Sequence, residues 1–116
     1  MEREIKEIQL ENARSPFNEW FESLRDKKMQ AAVDSRMARV RAGNFGARKS
    51  VGEGVFELKI DVGPGLRVYY GEHEKKFVIL LGGGDKSSQS RDIKHAIQLW
   101  HQWKVANKNA SKKLQR

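Results

Sequence analysis

The stretch that decides the fold runs from Phe56 to Asp92 and reads FELKIDVGPGLRVYYGEHEKKFVILLGGGDKSSQSRD. Apolar and polar residues alternate in two parts of it, FELKID at 56–61 and LRVYYG at 66–71. An alternation with a period of two is typical of a strand that turns one face toward a core. The two parts therefore predict an antiparallel hairpin with one apolar and one polar face. The polar face carries Glu57, Lys59, Arg67 and Tyr69.

The register of this hairpin follows from its turn. Gly63-Pro64-Gly65 predicts a three-residue loop, because glycine permits positive φ and proline fixes φ. In that register Lys59 lies opposite Tyr69, with Arg67 one diagonal step away. A shift by one residue would put Arg67 on the core face, where an unpaired charge is costly. We expect a basic and phenolic cluster on an open sheet face; the alternative is a solvated face on which Glu57 pairs with Lys59.

Length and composition limit the class of protein. The chain has 116 residues, enough for one domain with a single modest core, and it has no cysteine. Disulfides and thiolate metal sites are therefore excluded, and a reducing compartment is compatible. No run approaches the roughly 18 apolar residues of a membrane span, and the N-terminus lacks the apolar segment of a signal peptide. We expect a soluble, cytoplasmic protein that makes no membrane contact.

The net charge is +8, from 23 Lys and Arg against 15 Asp and Glu, and it is unevenly distributed. Residues 104–116 hold five cations and no acid, and residues 25–49 hold eight cations and two acids. Such an excess attracts phosphate backbones and also acidic proteins, so charge alone does not choose between them. We expect residues 106–116 to form a basic, flexible tail, which is either a nucleic-acid arm or a solvated chain end.

Two helices are predicted before the hairpin. Ser15-Pro16 is typical of a helix start, and Asp26 can cap a second helix that Gly43 is placed to end. Because the link between them is short, the two form a helical hairpin on one face of the sheet. Their apolar stripes are Phe17, Trp20, Phe21 and Leu24, then Met29, Ala32, Val33, Met37 and Val40.

The remaining segments complete an α+β domain. Residues 1–12 favour a strand that joins the sheet over a helical turn, and residues 44–54 are typical of a loop or short edge strand. Residues 77–81, FVILL, are apolar on both faces and predict a covered central strand. A glycine-rich loop follows, and a final helix is predicted from near Ser87-Ser88. Its packing stripe is Ile93, Ala96, Ile97 and Trp100, with Trp103 as a further candidate.

The run GGGDKS at 82–87 resembles a phosphate loop only in part. It lacks the P-loop spacing, and Asp85 would repel a nucleotide phosphate, so we reject nucleoside triphosphate binding. Two interpretations stay open: a single-phosphate site beside Lys86 at a helix N-terminus, and a plain turn with a cap. The three histidines, at 73, 95 and 101, are not spaced as one metal site, and we expect no metal and no cofactor.

A phosphate-handling site is the hypothesis that the polar residues of the hairpin support. Lys59 and Arg67, joined by Lys86 from the loop after the next strand, would surround one phosphate. Cations around a phosphoryl group stabilise the charge that grows during displacement. Tyr69 would stack on a base or take part in proton transfer.

The same residues resemble a known family. The matching runs are FELKI at 56–60, GPGLRVYY at 63–70, LLGGGDKSSQ at 80–89 and DI at 92–93. The Phe17…Trp20 helix, the RVR…GN segment at 39–44 and Gly52…Gly54 fit the same pattern. Together they are similar to the RelE/ParE superfamily of toxins, in its HigB-like branch of addiction-module killer proteins. The resemblance covers about residues 4–105.

The resemblance implies a single RelE-like α+β domain over residues 1–105, with an antiparallel β-sheet packed against an N-terminal helical hairpin and a C-terminal helix. It implies the toxin of a type II toxin–antitoxin system. Its cognate antitoxin, commonly with a helix-turn-helix in this branch, would provide the only link to operator DNA. The implied activity is that of an mRNA interferase, a ribosome-dependent endoribonuclease in which a 2′-hydroxyl attacks the adjacent phosphate without a metal.

The resemblance also implies the roles of individual residues. The expected catalytic residues are Lys59, Arg67, Lys86 and Tyr69, and the expected RNA contacts are Arg48, Lys49 and Gln89. Glu57 departs from the family pattern, in which a lysine is expected, and the C-terminal tyrosine of RelE has no match. The sibling ParE branch poisons DNA gyrase without nuclease activity, which is the alternative function. A toxin relic that acts as an antitoxin-bound repressor partner is a third.

Overall fold

The structure is a computed structural model that describes residues 1–114, with side chains for residues 1–108. In this part of the chain the elements follow in the order β1 (Glu4–Glu7), α1 (Pro16–Ser23), α2 (Lys27–Arg41), β2 (Arg48–Gly52), β3 (Val55–Ile60), β4 (Leu66–His73), β5 (Phe77–Asp85), a 3₁₀ turn (Lys86–Ser88) and α3 (Gln89–Leu114).

The described strands form one sheet in the order β1-β5-β4-β3-β2. Neighbours are antiparallel except β1, which lies parallel to β5. The predicted α+β class and the N-terminal strand are confirmed, but the all-antiparallel sheet is wrong, because the sheet is mixed. A parallel pair needs a long crossover connection, and the chain between β1 and β5 contains both N-terminal helices and three strands.

The helical hairpin begins and ends where the sequence predicts. The Ser15 hydroxyl accepts a hydrogen bond from the Asn18 amide at 3.1 Å, and Asp26 accepts one from the Lys28 amide at 2.8 Å. Gly43, at φ 92°, follows the C-cap of α2. The two helices bury their apolar stripes against one face of the sheet. The core on this side contains Phe17, Val33, Met37, Val40, Leu58, Ile60, Leu66, Val68, Tyr70, Val78 and Leu80.

The other face of the sheet lies under α3. The buried residues of this second core are Ile8, Val55, Tyr69, Ile79, Leu81, Ala96, Leu99 and Trp100. Trp100 needs a residue without Cβ beneath it, since a Cβ at Gly71 would lie 2.6 Å from its ring. The prediction of an open polar sheet face is therefore wrong over much of its length, because the long apolar stripe of α3 is buried there.

The register of the central hairpin differs from the predicted one by two residues. Ile60 pairs with Leu66, so the loop has five residues, Asp61–Gly65, and Lys59 lies opposite Arg67. Both members of the closing apolar pair are buried, and the loop bonds within itself from the Gly65 amide to the Val62 carbonyl at 3.0 Å. An even shift preserves which residues share a face, so the predicted polar set stays together.

The predicted glycine-rich loop is wrong, because Gly82–Asp85 is the last part of β5. Its residues pair with β4, Gly82 with Tyr69 and Gly84 with Arg67. A Cβ at Gly83 would lie 2.3 Å from the Trp20 ring, and the same close approach brings Gly84 to a carboxylate of α3. Glycine is present here because helices approach the strand closely from both faces.

The C-terminal helix continues through Leu114. Residues 106–114 of the predicted tail are thus helical, residues 115–116 lie outside the described residues, and the flexibility of the tail stays a prediction. Across residues 1–114, no helix combines the length and the apolarity needed to cross a membrane.

Candidate phosphate-binding cleft

Three cations that the sequence pattern predicts for a phosphate site line one cleft. Lys59, Arg67 and Lys86 border a volume of about 430 Å³ together with the loop at 61–65. Lys59 and Arg67 meet because β3 and β4 pair at these two positions. Lys86 arrives from the turn after β5, whose Gly84 pairs with Arg67. The structure thus brings together side chains that lie up to 27 positions apart in the sequence, between 59 and 86.

The three cations differ in how they are held. Lys59 and Lys86 are exposed, whereas Arg67 is only 7% exposed. The Arg67 Nη1 donates to the Gly65 carbonyl at 2.9 Å, which fixes the guanidinium at the base of the loop. The Lys59 ammonium lies 3.6 Å from the Asp61 carboxylate, and both groups face solvent. The cleft therefore offers two solvated ammonium groups and one guanidinium whose position is set by the fold.

Glu57 is the buried partner of that guanidinium. It is 6% exposed, and its Oε1 lies 3.9 Å from the Arg67 Nε. Its Oε2 accepts a hydrogen bond of 2.8 Å from Gln89, the first residue of α3. The alternative in which Glu57 pairs with Lys59 is not observed among the described residues, since Lys59 is near Asp61. Glu57 thus links Arg67 of β4 to the start of α3, and it does not line the cleft.

Tyr69 pairs directly with Glu57 across β3 and β4, on the same face. Its side chain is fully buried under α3, so the expected stacking on a base is not possible in this structure. Its hydroxyl has no hydrogen-bond partner among the described residues. Burial, and next the negative charge of Glu57, raise the pKa of Tyr69 well above its ordinary value. The phenol therefore stays protonated at neutral pH.

Asp85 caps the turn that presents Lys86. Its carboxylate accepts hydrogen bonds from the Ser87 amide at 2.8 Å and the Ser87 hydroxyl at 2.6 Å. These bonds hold the pKa of Asp85 below its ordinary value. The turn-and-cap interpretation thus describes the backbone here, because a carboxylate already occupies the N–H group that a phosphate would use. Lys86 lines the cleft, and its side chain is exposed.

The three residues expected to bind RNA are divided between the two faces of the sheet. Neighbouring residues on a strand point to opposite sides, so Arg48 and Lys49 separate. Lys49 pairs with Glu57, lies on the polar face and is exposed. Gln89 reaches the same face through its bond to Glu57. Arg48 lies on the side of the helical hairpin and does not line the cleft, so its contact with RNA stays a prediction.

Arg48 has a structural environment of its own. It donates to Tyr70 at 3.0 Å and to Glu72 at 2.8 Å, and the bond to the phenol contributes most to raising the pKa of Arg48. Arg3 binds the other oxygen of Glu72 at 2.7 Å, and both guanidinium groups lie over the ring of Phe45. This arrangement links the residue before β1 to the outer strand β2 across the sheet.

One residue that lines the cleft, Asp61, is not among the site residues predicted from the sequence. Asp61 lines it beside Lys59 and is the only carboxylate among the described lining residues. The signal for it was present in the sequence, because Asp61 continues the alternation of Glu57 and Lys59. Its charge offsets part of the positive charge, so the lining carries three cations against one anion.

The cleft can bind and polarise an anion, and other features of the described chain do this less well. A larger cavity of about 610 Å³ lies between residues 8–12 and α3, but no cation lines it. Within the described residues, no group of three or more His, Asp or Glu side chains is placed to hold a metal ion.

The comparisons with known proteins give a relative. Over 80 residues the chain is 48% identical to an uncharacterized protein of Haemophilus influenzae (strain ATCC 51907 / DSM 11121 / KW20 / Rd), a match that covers 69% of this chain and 81% of the relative. The chain belongs to the same family as that protein. No family model matches the chain, and no solved structure matches it.

Proposed function

We propose that this chain is a toxin of the RelE/ParE superfamily that cleaves mRNA on the ribosome and holds the scissile phosphate in the cleft. The observation that carries the proposal is the convergence of Lys59, Arg67 and Lys86 on one solvent-open cleft. A phosphoryl group in transit carries negative charge on several oxygens, and cations fixed around it stabilise that charge. The family resemblance supplies the substrate class.

In the proposed reaction, the 2′-oxygen of one nucleotide forms a bond to the adjacent phosphorus and the bond to the 5′-oxygen breaks. The proton leaves the 2′-hydroxyl and a proton is delivered to the 5′-oxygen, so the products are a cyclic phosphate and a 5′-hydroxyl. Arg67 and Lys86 stabilise the pentacoordinate phosphorane. Lys59 assists the proton transfer or adds positive charge. Lys49 and Gln89 contact the RNA, and Tyr69 packs beneath α3 and supports the position of Glu57.

The proposal includes the biological setting that the resemblance implies. The toxin acts in the cytoplasm, is neutralised by a cognate antitoxin with a helix-turn-helix, and reaches operator DNA only through that antitoxin. Neutralisation by an antitoxin is consistent with the cleft being open to solvent in the free chain.

The test is induced expression without antitoxin, followed by growth curves and mapping of new mRNA 5′ ends. Lys86→Ala is the first variant, because Lys86 is exposed and its loss leaves the core intact. Loss of one cation that acts on the transition state lowers cleavage by about 10²–10³-fold. Lys75→Ala is the matched control, because Lys75 is an exposed lysine of the β4–β5 turn outside the cleft.

The proposal fails if the Lys86→Ala and Lys59→Ala variants arrest growth as well as the native chain does, or if induction yields no new mRNA ends. Arg67→Ala is less suitable as a first test, because burial of Arg67 makes the variant sensitive to misfolding. Supercoiling assays with purified gyrase test the alternative function, a toxin that inhibits gyrase. Inhibited supercoiling together with intact mRNA would support that alternative. Harmless expression without antitoxin would indicate a toxin relic.

A further inference from the structure

Outside the cleft, the solvent face of α3 concentrates positive charge. After Asp92 the sequence holds six Lys or Arg residues and no Asp or Glu. Asp92 is the only carboxylate on the described part of α3, and it accepts a hydrogen bond from Ser88 beside Gly84. Its charge is therefore directed toward the end of β5. The outer face of the helix has cations and neutral polar groups without a compensating acid of its own.

The helical period explains why these cations face outward. Residues that pack on the sheet recur along one side of α3, and a residue half a turn away points to solvent. The exposed residues of the described part of α3 are Ser90, Arg91, Lys94, His95, Gln98, His101, Gln102, Lys104, Val105, Ala106 and Lys108, and the Lys104 ammonium lies over the Trp100 ring. Among residues 1–108, whose side chains are described, the cations of α3 form no ion pair, in contrast to Arg3 and Arg48. These cations are free to bind an external anion.

This face is continuous with the cleft. Lys86 lines the cleft and lies three residues before Gln89, where α3 begins. Arg91 and Lys94 follow within the first two turns of the helix. From Arg91 to Lys108 the helix rises by about 26 Å, at about 1.5 Å per residue. A strand whose phosphate is bound in the cleft can therefore follow cations along the helix.

We propose that the outer face of α3 binds the phosphate backbone of the RNA strand that continues from the cleft. The inference rests on the proposed function, which makes RNA the ligand. Backbone binding needs only cations and hydrogen-bond donors at phosphate spacing. Acidic proteins are a weaker fit, because a protein interface needs buried aromatic or apolar anchors. Val105, at 47% exposed, is the only large exposed apolar residue on the described part of α3.

The test measures binding of a fluorescent single-stranded RNA with 2′-O-methyl riboses, which cannot undergo 2′-hydroxyl attack. The variant combines Arg91→Glu, Lys94→Glu and Lys108→Glu. Each phosphate contact on a single strand contributes about −0.7 to the slope of log K against log salt. Three lost contacts reduce the slope by about 2.1. A fourfold rise in salt then weakens native binding about 18-fold more than it weakens variant binding.

The control variant combines Arg39→Glu, Arg41→Glu and Lys75→Glu, three exposed cations on α2 and the β4–β5 turn. It changes the net charge by the same amount, and it should keep the native salt slope. Circular dichroism and thermal unfolding verify that both variants fold. The inference is overturned if the two variants lose the same slope, which indicates a net-charge effect, or if the α3 variant keeps the native slope.

The outcome is separable from that of the proposed function. A difference in salt slope without any mRNA cleavage in cells would support RNA binding by α3 and refute the proposed nuclease activity. Cleavage in cells with no difference in salt slope would support the nuclease activity and refute RNA binding by α3. Retained RNA binding together with loss of binding to a purified antitoxin would assign the α3 face to a protein partner and refute the inference.

Discussion

Replacing Glu57 by alanine removes the buried carboxylate that lies between Arg67 and Gln89. Both charged residues are less than a tenth exposed, so water cannot easily take the place of the lost group. The variant would leave a buried guanidinium without its nearest anion and an amide without its 2.8 Å acceptor. We expect a large loss of stability from this one substitution.

The magnitude follows from the geometry of the pair. Two unit charges about 4 Å apart attract by about 4 kcal/mol at an effective dielectric constant of 20, before desolvation is counted. Removing one member of a buried pair typically costs roughly 3–5 kcal/mol. Because the Arg67 Nε makes no hydrogen bond within the described residues, we expect Glu57→Ala to cost about 3 kcal/mol, at the lower end of that range. Glu57→Gln keeps an acceptor for Gln89 and should cost about 1–2 kcal/mol.

Urea unfolding followed by circular dichroism gives the free energy of unfolding for each variant. A double-mutant cycle adds Arg67→Met, which removes the charge that Glu57→Ala leaves stranded. In that background Glu57→Ala should cost less, with a coupling of about 1–3 kcal/mol. A cost below about 1 kcal/mol for Glu57→Ala, or a coupling near zero, would refute the idea that this carboxylate holds Arg67 in place.

Three further predictions follow from single contacts. Gly83→Ala should lower the free energy of unfolding by about 1–3 kcal/mol, because its Cβ meets the Trp20 ring. Gly82→Ala, with open space around its Cβ, is the control, and an equal loss of stability in both variants would contradict the packing explanation. The pKa values of Tyr69 and Tyr70 are raised in the folded chain, so phenolate absorbance should appear near pH 10 in urea but only at higher pH in the folded chain. The free energy of unfolding should therefore be constant up to about pH 10 and fall above it, and a folded chain that titrates at the same pH as the chain in urea would contradict this. Glu72→Ala leaves Arg3 and Arg48 without their carboxylate, so it should lower the free energy of unfolding by about 2 kcal/mol and speed amide exchange in β1. Unchanged amide exchange in β1 would argue against a link across the sheet.

Some features of the fold are local in origin, and these could be predicted. The caps at Ser15 and Asp26 depend on side-chain chemistry within three residues, and both are observed. The shared face of Lys59 and Arg67 depends on the period of a strand, which no tertiary contact alters. An error of two residues in the register did not affect it, since parity survives an even shift.

The errors concern contacts between distant parts of the chain. Three successive glycines favour a loop by local preference, yet Gly83 and Gly84 are strand residues because they pair with β4. They are glycine because Trp20 and Asp92 approach them too closely for any Cβ. The direction of β1 was equally undetermined, because an edge strand can pair in either direction. Arg48 and Lys49 are adjacent cations with similar chemistry, and only the pairing of β2 with β3 decides which one faces the candidate site.

The polar face of the central hairpin illustrates the division between sequence and structure. The sequence by itself determined which residues stand on that face, since alternation is a property of the strand backbone. Only the tertiary structure decided that α3 covers Tyr69 and Glu57 while Lys59 and Lys86 remain in solvent. The physical reason is that alternation identifies residues off the apolar face but does not indicate what covers them. Whether Tyr69 and Glu57 are buried depends on where the apolar stripe of α3, some 30 residues later in the chain, packs on the sheet.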